Sequence, residues 1–166
     1  MTEKHQRAER LEVVTQRVGF TLWQLQELEV VAAYVFVLLA KAKKGMGEVA
    51  GNALLDKATG DTFGGTFRKM KKAGILPDEI ESRFDHVLGE RNWLVHRSRE
   101  SSGQAIDSAA DTAGLVQRIN DIETEGMQLM RELKGLAERH VEAHGVTQSE
   151  IDAEVRNLVG QWQDAE

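Results

Sequence analysis

The stretch Leu115–His140, LVQRINDIETEGMQLMRELKGLAERH, decides the fold class. Its residues Leu115, Ile119, Ile122, Gly126, Leu129, Leu133, Leu136 and His140 follow alternating four- and three-residue steps. That spacing puts them on one line of a helix, a heptad-like seam suited to lying lengthwise against another helix. Gly145 ends it. A partner of similar length stands upstream. Leu11, Val14, Val18, Leu22, Leu25, Ala32, Phe36 and Leu39 keep a helical phase and predict a helix over about residues 3–43. It is either continuous or broken where Thr21 and Gln24 could form a capping box. Gly45 and Gly47 close it.

Between these two long helices the pattern is shorter. Residues 48–73 read as one or two short helices, with a turn at Thr59-Gly60-Asp61 and a cap at Asp61 or Thr62. Pro77, followed by Asp78, Glu79 and Glu81, starts a helix that should run to about His96 or Ser98. Arg99 to Asp107, with Ser101, Ser102 and Gly103, reads as an exposed loop. Ser108 and Asp111 suggest a cap for the Leu115 helix. Thr147-Gln148-Ser149-Glu150 is a capping box for a last helix, about 148–163, whose apolar face is Ile151, Val155, Leu158, Val159 and Trp162. No useful period-two strand pattern appears. The expectation is an all-α single domain of long antiparallel helices with shorter helices between, its core over about residues 5–145.

Composition narrows the chemistry. The chain has 166 residues, a formal charge of −6, one proline and no cysteine. A thiolate nucleophile, a disulfide framework and a cysteine-ligated metal are thereby excluded. A low pI argues against a generic nucleic-acid coat. The charge is uneven, however. Residues 1–106 hold 16 Lys/Arg against 14 Asp/Glu, while residues 107–166 hold 5 against 13. Basic clusters stand at Lys41, Lys43 and Lys44, at Arg68, Lys69, Lys71 and Lys72, and at Arg97 and Arg99. Each suits a solvated helix end, where cations favour the dipole. Together they could flank one site. The N-terminus has no signal-peptide pattern, and the apolar run Val30–Ala40 is shorter than a membrane span needs. A cytoplasmic protein without membrane contact is expected.

The helix after Pro77 contains an oddity. Ile80, Phe84, Val87, Leu88, Leu94 and Val95 form one apolar stripe, and Arg91 lies near its centre. A buried guanidinium needs a partner. Either Arg91 meets a carboxylate, for which Glu29 in the apolar phase of the first helix is the candidate, or the stripe opens there onto a polar cleft. Asn92 and His96 share a neighbouring face. His96 lies about 140° round the helix from Arg91, so one helix does not join the two well.

Arg91-Asn92-Trp93-Leu94-Val95-His96 resembles the R-x4-6-H signature of HEPN domains: arginine, polar residue, three residues, histidine. The all-α pattern, the long first helix, the motif late in a central helix and Glu90 before the arginine are similar to that family as well, over about residues 5–145. The resemblance implies a metal-independent endoribonuclease without cofactor, often a toxin or effector of prokaryotic conflict systems. Its site would be Arg91, Asn92 and His96, composite across a homodimer, acting on RNA and leaving a 2′,3′-cyclic phosphate. An antitoxin is a possible partner. A subgroup carries tyrosine two residues after the histidine, modified by a nucleotidyltransferase partner; here that position is Ser98, which puts that regulation in doubt. The residues suit the chemistry. A histidine can take up and release the proton, and a guanidinium matches phosphate oxygens. Arg68, Lys69, Lys71, Lys72, Arg97 and Arg99 are candidate RNA contacts. The alternatives are a non-catalytic module of the same kind binding RNA, a nucleotide or a protein, and a purely structural bundle in which Arg91 pairs with Glu29.

Other groups carry less. His140 and His144, with Glu138 and Glu142, have a spacing that can bind a metal but no identifiable third ligand. Gly60, Gly64 and Gly65 lack the G-K-[ST] of a phosphate loop. Trp23, Trp93 and Trp162 read as packing residues, with Trp93 a possible interface residue.

Overall fold

The first helix is unbroken because its apolar phase never slips. In the computed structural model, which describes residues 2–163, α1 runs Glu3–Ala40 through Gly19 and Thr21. It is followed by α2 (Glu48–Thr59), α3 (Phe63–Lys72), α4 (Asp78–Ala105), α5 (Ala109–Ala143) and α6 (Gln148–Gln163). No strand occurs among the described residues. Gly45, Gly47, Gly74 and Gly145 take positive φ in the connections between helices, a conformation that costs glycine little. Thr62 caps α3 by accepting the Gly65 N–H, and Ser108 caps α5 by accepting the Asp111 N–H. Thr147 and Glu150 form the expected reciprocal box before α6.

The expected long antiparallel helices are present, with one refinement of direction. Arg7 bonds Asp107, Arg17 approaches Glu123, and Gly126 faces Leu25, so partners rise together along α1 and α5. These two therefore run parallel. α4 runs against both: it meets α1 through Arg91–Glu29, and it meets α5 through Arg83–Glu125 and Arg118–Glu90. The seam predicted on α5 is the molecule's spine. Leu115, Ile119, Ile122, Leu129 and Leu133 are buried against Val14, Leu25, Leu28 and Ala32 of α1. Gly126 lets the two backbones close in, since a Cβ there would lie 3.0 Å from Leu25 Cδ2. The short α3 seals one end, stacking Phe67 on Phe84 at 5.2 Å between ring centroids.

Three expectations are corrected. The segment Arg99–Asp107 is not a loop, because α4 continues to Ala105. Ser98, Ser102 and Ala105 are buried and extend the core line of α4 with small side chains. Ser102 Oγ donates to the Ser98 carbonyl at 2.6 Å, so its hydroxyl costs the core nothing unpaired. Thr112 then bonds the Ala105 carbonyl, and Arg10 the Ile106 carbonyl, which anchors the helix end. Val95 is exposed, since the core line passes through Leu94 and Ser98 instead. Trp23 is not a packing residue but stands in solvent. Trp93 does pack: it is half-buried against the core, with the Arg118 guanidinium 3.6 Å from its ring centroid.

The apolar character of α1 extends beyond Val30–Ala40: among the described residues it is the helix long and apolar enough, by length and composition, to cross a membrane. Its inner residues are spent on the bundle. On α6, Val155 and Val159 are exposed; the side chains of Leu158 and Trp162 lie outside the described residues.

Candidate functional site

α4 places its core line at Ile80, Phe84, Val87, Arg91, Leu94, Ser98, Ser102 and Ala105, in steps of three and four. Arg91 thus occupies a position that would ordinarily be apolar, and α1 answers it with Glu29. The Arg91 Nε donates to Glu29 Oε1 at 3.1 Å, and Nη2 lies 3.0 Å from the same oxygen. The side chains keep 29% and 24% of their surface, so the pair is half-buried rather than sealed. Its geometry is one-sided. Both nitrogens converge on one carboxylate oxygen, and Nη1 finds no hydrogen-bond partner among the described residues.

The reason for the incomplete burial is a cavity of about 680 Å³ between α1, α3 and α4. Arg91 and Asn92 line it from α4, Arg68 and Lys71 from α3, and Phe63, Phe67 and Leu88 form its apolar wall. Gly64 lines it as well; a Cβ there would touch Leu88 at 3.4 Å. Both alternatives for Arg91 are realised together: it pairs with Glu29, and the stripe opens onto a polar cleft beside it.

The cations of the cleft are not equally available. Lys71 is bound by Glu81 at 3.1 Å and Asp85 at 3.6 Å. The hydrogen bond that Lys71 donates to Glu81, then the charges of Glu81 and Asp85, raise its pKa above the usual lysine range. Arg68 is exposed and has no acidic partner among the described residues. Free positive charge therefore rests on Arg68 and on the open side of Arg91. Asp85 on the rim opposes an anion there, and no feature of the sequence reading pointed to it.

The remaining expected residues disperse. His96 is exposed on the far flank of α4 and does not line this cavity. Five residues from Arg91, it is displaced by ~140° and by about 7.5 Å along the axis. Lys69 and Lys72 point to the other side of α3, where they rim a second cavity of about 550 Å³ with Lys41 and Lys57. Lys69 is held there by Asp61. Arg97 and Arg99 are exposed and line neither cavity. His140 and His144 sit ring to ring at 4.3 Å, and His144 Nδ1 lies 2.7 Å from the His140 carbonyl. No group of three or more His, Asp or Glu side chains is placed to hold a metal ion among the described residues.

The fold and cleft define a class: an all-α bundle with an arginine-bearing, open cleft between its first, third and fourth helices. Comparison with protein-family models, curated proteins and solved structures finds no match to this chain.

Proposed function

We propose that this chain is a HEPN-type endoribonuclease that cleaves RNA without a metal, in a toxin or effector role. The observation that carries the reading is the gathering of Arg91, Asn92 and Arg68 around one open cavity, with Nη1 of Arg91 unspent. A phosphate in that cleft would take its charge-assisted hydrogen bonds from Arg91 and Arg68, and Asn92 would orient it. In the reaction the 2′-oxygen bonds to phosphorus, the bond to the 5′-oxygen breaks, and a 2′,3′-cyclic phosphate forms. The 2′-proton leaves to a base and the 5′-oxygen gains one from an acid. Only a histidine suits that exchange near neutral pH among the motif residues. His96 is turned away from the Arg91 cleft of its own copy, so a second copy presenting α4 supplies it.

The test uses an end-labelled RNA in excess chelator. The full chain should cleave it, leaving a 2′,3′-cyclic phosphate. Arg91→Ala and His96→Ala should each abolish cleavage. Mixed together they should regain roughly a quarter of the parent rate, since a two-fold heterodimer keeps one intact composite site. Cleavage unaffected by either variant would defeat the assignment. The Arg91–Glu29 pair favours a second reading, a non-catalytic module whose cleft binds RNA, a nucleotide or a protein. Saturable RNA binding without turnover, lost in Arg68→Ala, would select it.

A further inference from the structure

α1 has two long apolar lines: the bundle buries one, together with Ala33 and Val37 under α2, and leaves the other open. The second is Val13, Phe20, Trp23, Val30 and Tyr34, completed by Gln16 and Glu27 at the same alternating three- and four-residue steps. These positions share an arc of about 100° on the side of the helix away from the buried line. They are open to solvent: Val13 47%, Phe20 43%, Trp23 63%, Val30 39% and Tyr34 50%. Three of the chain's nine aromatic residues, including its one tyrosine and a tryptophan, stand on this line. Half-exposed, the three rings alone show roughly 300 Å² of surface. With the two valines the patch reaches about the largest that monomers ordinarily leave exposed.

We propose that this line is the contact surface for a second copy of the chain, the two α1 helices lying antiparallel about a two-fold axis. The spacing selects the arrangement. An axis passing between Thr21 and Leu22 sets Phe20 against Trp23 of the second copy and Val13 against Val30. The same axis sets Gln16 against Glu27, and Tyr34 against Glu9. All four pairs occur in one register, which gives the line the self-complementarity a two-fold contact requires. The polar residues in the line then meet each other: the Gln16 amide donates to a Glu27 carboxylate and the Tyr34 hydroxyl to a Glu9 carboxylate. A parallel pairing would instead set Glu27 against Glu27, two like charges in an apolar seam. The line runs from Val13 to Tyr34, about 32 Å. With its flanks, contact over that length removes on the order of 1,200 Å² in total, which reaches the range of stable interfaces. The surface lies away from Glu29 and the Arg91 cleft. It is therefore separate from any α4 contact that completes the RNA site, and both together would build an assembly larger than a dimer.

The chain's lack of cysteine makes a clean test. Gln16→Cys and Glu27→Cys should crosslink when the two variants are mixed and oxidised, and neither should crosslink alone. Crosslinking of each variant by itself would overturn the antiparallel register. By light scattering the parent should exceed the 18.5 kDa of one chain. The Phe20→Glu/Trp23→Glu double variant, folded by circular dichroism, should bind itself at least ~30-fold more weakly at this contact. Parent and double variant of equal mass would overturn the proposal, as would a parent that stays monomeric. His96→Ala leaves this contact intact, so its effect on cleavage reports only on the RNA site.

Discussion

Arg91 holds a place in α4 that its neighbours would give to leucine, and the consequence is measurable. Removing the guanidinium strands Glu29 in a half-buried setting. Arg91→Met should cost about 1–2 kcal/mol, less than a sealed pair would, because solvent screens both groups. The double variant Glu29→Leu/Arg91→Met should recover most of that loss in urea denaturation. If Arg91→Met alone is neutral, the pair is not structural. The sequence made Arg91 legible because a charge interrupted an apolar stripe, and Glu29 because it sat in the apolar phase of its own helix. His96 lacked such a constraint. Its neighbourhood depends on surface geometry, which helical phase places only as facing away. Trp23 was misread for a related reason: an aromatic at helical spacing is compatible with either line of α1, and only the packed bundle shows which line is inside.

At the scale of elements, close approach and capping carry the predictions. Gly126 sits where α5 crosses Leu25, and Gly126→Val should destabilise the fold by about 1–3 kcal/mol through overpacking, read as a lowered Tm. Gly114, with nothing near it, should accept alanine without loss. At α6, the Thr147 backbone N–H and then its hydroxyl hold the Glu150 carboxyl below its ordinary pKa of 4.5. A depressed carboxylate stabilises the cap above its unfolded pKa and loses that contribution as pH falls through the folded one. The Thr147 amide signal in NMR should therefore shift below pH about 4.5, and Glu150→Gln should largely flatten the response. The caps at Thr62, Ser108 and Thr147 were readable because a side chain and its target amide are three residues apart. The helical course of Ser101-Ser102-Gly103 was not. Serine and glycine read as loop residues on local grounds, while burial of Ser98, Ser102 and Ala105 against distant helices decides otherwise.

For the whole molecule, charge distribution outweighs net charge. The cleft draws on Arg68 and Arg91, with Lys71 largely committed to Glu81 and Asp85. RNA affinity should accordingly fall with salt along a shallow slope, about −1.4 in log–log form for two single-strand phosphate contacts. Arg68→Ala should reduce that slope by about 0.7. A slope of zero would remove phosphate recognition from the site. The all-α architecture and the α1 and α5 seams were legible because heptad-like spacing needs no tertiary information. The parallel sense of those two helices was not, since seams of this kind fit either direction and only the run of α4 between them settles it.

That parallel pairing has a consequence for how the chain is made. α1 ends at Ala40, but the helix that covers its inner face begins only at Ala109. A nascent chain therefore carries the α5-facing side of α1 uncovered while α2, α3 and α4 are synthesised. The main contact closes late and over long sequence separation, which slows folding and leaves apolar surface open to misassociation. Chains halted before Ala109 should stay soluble only with a chaperone present, and release of the completed α5 should end that dependence.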